Sequence, residues 1–434
     1  MEKRDYIEQV SEQIRCKRAL PGILDELDAH ISDQKADYLS SGMSEKEAEL
    51  SAIREMGDPV VVGAELDAIH RPRMPWKTII IIGVISIASF ILQTMIWPSS
   101  LRQMLFCLVG YGIMIAVCYI DYTKIAKWSK ELLLLFSFFT FCSELFFNPM
   151  VNGSHQFLYI PFLGSMNLSQ LILLTIPLYC AVLYQYKGTK RKGIIMGIIW
   201  TIPPILCAWY MPNLITAAAL FVMCMVCLSI AIKRQWFQVS TRISLCVIWS
   251  SVAAIPMLGL YFFGETYQKA RITALYNGEA SYHVMAIRET LSNSLLVGGN
   301  QTGKEIVGQW PDSGSDLFSY VSIYYGLAVA IIAIGIIVSL FVYMLQKSIR
   351  QTSQLGMLIS SGCCVVFLVQ IMIWLTGNLG LLLIDGYCPF LTYGGTGTIT
   401  TFVLLGIILC IFRNKNVFPA NVVIKKKIRK KEFL

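Results

Sequence analysis

The sequence predicts an all-α protein: a polytopic membrane body of about ten transmembrane helices behind a small cytoplasmic helical domain. Two observations carry this. Of the 434 residues, 55% are hydrophobic and only 15% charged, with a mean hydropathy of +0.60, which is too apolar for a soluble domain of that length. Apolar stretches of about 17 to 25 residues, long enough to cross a bilayer as helices, also recur along the chain. Charge is unevenly placed. Residues 1–75 hold ten Lys/Arg against sixteen Asp/Glu and the remainder twenty-six against eleven, so an acidic head of net −6 precedes a basic body of net +15. That head does not read as a signal peptide, so the first membrane helix is expected to act as the targeting signal.

The head, residues 1–72, reads as helices around Asp5, Ile23 and Ser44. Ser44 and Glu47 have capping-box spacing, and Gly57-Asp58-Pro59 is a stop signal. In the second helix Leu24, Leu27, Ile31, Lys35 and Tyr38 or Leu39 fall on one face, a stripe that must pack on something. The stretch from Leu20-Pro21-Gly22 through Met56-Gly57-Asp58-Pro59 resembles the short helical prefix that precedes permeases and sensors in Gram-positive bacteria. That resemblance implies a stabilising or recruiting role without chemistry. His30 and His70 read as surface residues.

Ten spans follow, at about 76–96, 102–120, 130–148, 168–186, 193–210, 213–232, 241–263, 318–345, 354–376 and 394–412, within a body of 76–418. Every second connection is basic, as at Lys124-Lys127-Lys130, Lys187–Lys192 and Lys233-Arg234, and the intervening ones are nearly free of Lys/Arg. The positive-inside rule then predicts a multi-pass protein with both termini in the cytoplasm. The basic tail, 419–434, has the composition of a segment that binds anionic lipid or anchors topology. The thirteen cysteines form no paired CxxC pattern and mostly lie in apolar stretches, as small filler. The spans are almost bare of charge, which argues against an ion-coupled transporter. Instead six of the eleven acidic residues beyond the head, Glu265, Glu279, Glu289, Glu305, Asp312 and Asp316, gather in the connection 264–317, placing candidate chemistry outside the membrane.

Before the last span stands Gly380-Leu-Leu-Leu-Ile-Asp-Gly-Tyr-Cys-Pro-Phe-Leu-Thr-Tyr-Gly-Gly-Thr396. It resembles the signature of the SEDS family, the FtsW/RodA/SpoVE-like membrane proteins of bacterial shape, elongation, division and sporulation, whose pattern is close to GLLPVTG…LPFxSYGGSS. Leu383 stands where the family has Pro and Asp385 where it has Thr. Further matches follow in order: Arg102-Gln103 at the second span, Val151-Asn152-Gly153, Asn167-Leu168-Ser169, Met211-Pro212-Asn213 near the family's QPD, Arg271-Ile-Thr-Ala-Leu-Tyr-Asn277, Tyr282, and Pro311 through Phe318.

The resemblance implies the SEDS fold and a peptidoglycan glycosyltransferase of the bacterial cytoplasmic membrane. Such an enzyme polymerises lipid II onto a growing glycan strand at the outer face, with a class B penicillin-binding transpeptidase, in cell-wall elongation, division or sporulation. No nucleic acid is expected as a partner. A carboxylate must take the proton of the attacking sugar hydroxyl, and cationic or backbone N–H groups must hold pyrophosphate. The implied catalytic residues are Glu279 and Asp316. The implied substrate-binding residues are Arg102, Arg271, Lys269, Arg288, Asn152, Asn213, Tyr393, Gly394, Gly395 and Thr396. The family can use a divalent cation, Mg2+ or Mn2+, for which this sequence has no dedicated cage. It also departs from the pattern at polar positions. Glu279 replaces the family's aspartate in a shortened loop, Asn213 replaces an Asp, Gln170 stands near a missing Glu and Lys, and Tyr324-Tyr325 replace an acidic pair. Two rival readings therefore stand beside the enzyme: a weak or inactive homologue that binds lipid II or a transpeptidase as a scaffold, and a lipid-linked precursor transporter or flippase.

Overall fold

The computed structural model describes residues 2–96, 101–146, 157–160, 164–211, 213–264, 266, 269–270, 273, 282–301, 304, 316–381 and 386–419. The chain divides into two compact units.

One unit joins residues 1–75 to 351–356 and 411–423. Its helices are α1 (Lys3–Gln13), α2 (Leu20–Ser40), α3 (Glu45–Glu55) and α4 (Pro59–His70). Ser44 and Glu47 form the expected capping box. The stop signal at Gly57 is also a start: Asp58 caps α4 by accepting from Val60 N and Val61 N (2.8 and 3.3 Å), and Pro59 occupies the first turn, where no N–H is needed. The buried stripe of α2 is Ile23, Leu27 and Ile31, one position off the expected Leu24. It packs with Tyr6, Val10, Ile53 and, from the far end of the sequence, Val417 and Phe418. His70 Nδ1 lies 2.8 Å from Asn416 O, and Arg73 N donates to Arg413 O (3.1 Å), so His70 is a tether. Lys35 bridges Glu45 and Glu49 (3.2 and 2.8 Å), and its hydrogen bond holds the Glu49 carboxyl below the usual range. Asp58→Ala should loosen α4 by about 1 kcal/mol, read as faster amide exchange confined to that helix.

The other unit is helical, with one addition to the all-α expectation: strands β1 (Phe157–Ile160) and β2 (Gly164–Asn167) pair as an antiparallel ribbon. Among the described residues eight helical segments are long and apolar enough to span a membrane. They are α5 (Trp76–Ile96), the segments Leu168–Gln185 and Arg191–Tyr210, α13 (Leu214–Lys233), α14 (Thr241–Phe263), α17 (Leu327–Ile349), α18 (Gln354–Asn378) and α19 (Gly395–Arg413). The expected second and third spans are α6 (Leu101–Val117), which is 17 residues long, and α8 (Ser129–Phe146), which carries Lys130, Glu131 and Glu144; α7 (Tyr122–Lys127) connects them. The segment Leu168–Gln185 breaks into α9 (Leu168–Leu171), a 3-10 turn and α10 (Thr175–Gln185). Pro203 and Pro204, which lack N–H donors, start α12 (Ile202–Tyr210) after α11 (Arg191–Ile199).

The expected eighth span at 318–345 is divided. Leu317–Tyr325 is a helix of its own, α16, and α17 begins after Gly326. The physical reason is Gly326 itself, at φ +102, where a Cβ would stand 2.8 Å from Leu296 O and Val297 Cα. The chain at 295–298 laces the break, with Leu327 N donating to Leu295 O and Gly298 N to Tyr325 O (2.9 and 3.1 Å). Before it lies α15 (Tyr282–Ser292), packed on α16. Burial separates core from periphery: 72% of the α18 span is buried against 6% of α14, which turns its apolar surface outward, as lipid contact requires. Buried cysteines fill the core where helices close in; a Cβ on Gly362 would lie 2.5 Å from Cys180 Sγ.

Candidate functional site

The glycine-hydroxyl run before α19 folds into a turn whose polar groups are spent on holding it. Cys388 N donates to Thr392 Oγ1 (2.8 Å), and Gln93 Nε2 donates to Phe390 O and Leu391 O (2.9 and 2.8 Å), with Phe390 at φ +71. Gln103 reads both ends of the next step: its Oε1 accepts from Gly394 N (3.2 Å) and its Nε2 donates to Thr398 Oγ1 (2.9 Å). Thr398 Oγ1 in turn donates to Gly394 O (2.7 Å), and Thr396 Oγ1 accepts from Asn167 N (3.0 Å). Two glutamines from α5 and α6 therefore replace the water that the irregular backbone would otherwise demand. Glycine is needed where the turn meets other elements, since a Cβ on Gly395 would stand 2.6 Å from the Phe106 ring and one on Gly397 2.2 Å from Tyr387.

Beside the turn lies a small open cleft lined by Ser169, Gln170, Asn213, Thr216, Gln370 and Tyr387 among others. Its polar groups are all neutral and partly paired. Gln370 Nε2 donates to Gln170 Oε1 (2.8 Å), and Asn213 Nδ2 donates to Ser169 Oγ (3.2 Å). Asn213 also caps α13, accepting from Thr216 N (3.0 Å). Gln170 and Gln370, 200 residues apart, meet only through the fold.

Asp316 stands at the N-cap of α16, buried to 5% exposure, with its Oδ2 3.6 Å from His283 Nε2 on α15. Arg288, on the same helix as His283, donates from Nε to Gly380 O (2.8 Å). Two residues along from Asp316, Phe318 meets Trp374 edge to face (6.3 Å), and Trp374 backs Gly386 at the foot of the cleft. Asp316, the cleft and the turn are thus joined by direct packing.

The remaining expected site residues are distributed as follows. Arg102, Lys269 and Tyr393 are exposed, Gly394 and Gly395 half-buried, and Thr396 buried. Glu279, Arg271 and Asn152 lie outside the described residues, as does Asp385. Among the described residues no three His, Cys, Asp or Glu side chains converge on a point where a metal ion could sit, so no divalent-cation site is assembled from them. The sequence reading passed over Gln93, Gln370 and His283, and named Gln103 only as part of the family match at the second span. It also passed over Glu144 on α8, only 3% exposed, neither of whose carboxylate oxygens has a hydrogen-bond partner among the described residues. A carboxylate inside an apolar run was the available signal for it.

These features define a polytopic α-helical membrane protein with a cleft lined by amides and hydroxyls. The chain belongs to the cell cycle protein family of FtsW, RodA and SpoVE, whose model matches residues 73–417. It is similar to the peptidoglycan glycosyltransferase MrdB of Helicobacter pylori (24% identity over 74% of this chain and 85% of the relative). It is also similar to a probable peptidoglycan glycosyltransferase FtsW of Geobacter (23%, over 71% and 85%). Its fold matches a chain from a peptidoglycan synthase complex that coordinates polymerization and crosslinking (TM-score 0.65, 15% identity, 79% of this chain and 98% of that one). The rod shape determining protein RodA of Thermus thermophilus has the same fold (TM-score 0.57, 15% identity, 79% and 97%).

Proposed function

We propose that this chain is a peptidoglycan glycosyltransferase that polymerises lipid II at the outer face of the bacterial cytoplasmic membrane, with ten spans, both termini inside, and a class B transpeptidase as partner. The observation that carries this reading is the convergence, in a member of this family, of the glycine-hydroxyl turn, the Asp316 helix and a cleft lined by amides and hydroxyls. Such groups hydrogen-bond the hydroxyls and amides of a glycan without the cost of burying charge. In the reaction a sugar hydroxyl attacks the anomeric carbon of the other chain, its proton passes to an acceptor, and undecaprenyl pyrophosphate leaves with the bonding electrons. A single displacement inverts the anomeric centre.

The test is synthesis of glycan from lipid II by the purified chain, with and without candidate transpeptidases from the same cell. Gln370→Leu, which removes one cleft amide and strands Gln170, should raise KM about tenfold, the worth of one hydrogen bond of about 1.4 kcal/mol. Normal kinetics in that variant would remove the cleft from the reaction. Binding of lipid II without polymer under any partner condition would instead support a scaffold.

A further inference from the structure

Resting on the glycosyltransferase reading, we infer that the cleft is a pocket for the acetamido group of an N-acetylated sugar, read by the paired glutamines Gln170 and Gln370. Each side-chain amide has a carbonyl acceptor and an NH2 donor. Gln370 Nε2 donates to Gln170 Oε1 (2.8 Å), and that bond leaves over the Gln170 NH2 and the Gln370 carbonyl. The same holds with the two roles exchanged, because one bond between two amides always spares a donor and an acceptor. Among the described residues no further hydrogen bond engages either spare group. Both glutamines line the cleft, and although Gln370 is only 7% exposed, neither spare group is sealed from the open space.

A secondary amide is the complement of this pair. Its carbonyl accepts from the Gln170 NH2 while its N–H donates to the Gln370 carbonyl, so one ligand group satisfies both. Leu173, Ile215, Ala219, Met223 and Ile373 supply apolar lining beside them, a surface suited to a methyl group. An acetamido group joins these two chemistries in one small unit that ends at its methyl. A peptide amide carries chain on both sides and calls for a through-channel rather than a small cleft.

The neighbouring groups narrow the assignment to the glutamines. Asn213 engages both ends of its amide, donating to Ser169 Oγ (3.2 Å) and accepting from Thr216 N (3.0 Å), which makes it part of the wall. Among the described residues no Lys or Arg lines the cleft, so the pyrophosphate, which calls for cations, is held elsewhere and the cleft is left to the neutral sugar.

The experiment measures kcat and KM of the purified full-length chain for three substrates. They are lipid II, a lipid-linked disaccharide without the stem peptide, and lipid II with free amines in place of the sugar acetamido groups. In wild type the amine substrate should show a KM about tenfold or more above that of lipid II, since it offers neither the carbonyl nor the methyl. Gln170→Leu combined with Gln370→Leu removes both partners together, so no amide is stranded. That double variant should raise KM about tenfold for lipid II and for the stemless substrate, with kcat little changed, and hardly at all for the amine substrate. An amine penalty of the same size in wild type and variant overturns the assignment. So does a variant penalty that disappears with the stemless substrate, which would give the amide to the peptide. If wild type makes no polymer, the glycosyltransferase reading fails by itself. The pocket is then decided by thermal shift: lipid II should stabilise wild type more than its amine form does, and equal shifts overturn it. That comparison uses wild type alone, so it decides the matter even where the double variant does not fold.

Discussion

Gly386→Ala should lower the melting temperature of the purified protein by several degrees and, on the proposed glycosyltransferase function, abolish most glycan synthesis from lipid II. The added methyl would be built 2.3 Å from Trp374 Cα and 2.6 Å from Trp374 N. Both are backbone atoms well inside a 25-residue helix, and Trp374 is fully buried, so no flexible tip can swing aside. Overpacking of this kind costs about 1 to 3 kcal/mol, and more where the neighbour is rigid. The displacement would be transmitted in two directions. One runs to the cleft floor at Gly386 and Tyr387, the other through the Trp374–Phe318 contact to the helix that Asp316 begins. Thermal unfolding in detergent and a polymerisation assay read the two effects separately. A variant that melts like wild type would show that the approach of 386 to α18 is looser than described.

Gln103→Leu should be nearly as damaging, by a different mechanism. Leucine matches the volume but leaves Gly394 N–H without its acceptor and withdraws the amide donor from Thr398. A buried group left unsatisfied costs about 1 to 3 kcal/mol, and Gln103 is only 2% exposed, so bulk water does not take its place. Thr398→Val removes one of the same partners, so the two changes should be less than additive when combined. Full additivity in a double-mutant cycle would mean that Gln103 and Thr398 act independently.

Much of this architecture could be read from the amino acids because its causes are local. Asp58-Pro59 announces a helix start through cap chemistry, although Gly57 beside it made the same triplet read as a stop; both are true, since one helix ends where the next begins. The glycine-hydroxyl run was conspicuous for its composition, but its purpose was not. Of the groups expected to meet substrate, the Thr396 hydroxyl and the Gly394 N–H instead help tie the turn together, and the partners that do this, Asn167 and Gln103, come from elements far away in sequence. The same holds for the cleft. A lone glutamine carries no signal, and Gln170 and Gln370 become a site only when α9 and α18 are side by side. The division at Gly326 was hidden for the opposite reason. Apolar residues continue across it without interruption, and only the approach of the backbone at 295–298 demands a glycine there. Asp316 was singled out by the family resemblance and its place in the acidic connection, but no pattern of residues shows that a carboxylate is buried beside a histidine 33 positions earlier.

The contribution of Val417 and Phe418 to the core of the first four helices has a bearing on biosynthesis. Those helices leave the ribosome first, yet the two side chains that complete their interior are translated some 350 residues later, after the last apolar helix has been delivered. Closure of the head is therefore a terminal event in assembly, and a chain stalled or cut before residue 417 leaves Ile23, Leu27 and Tyr6 incompletely covered, apolar surface of the kind that quality-control proteases recognise.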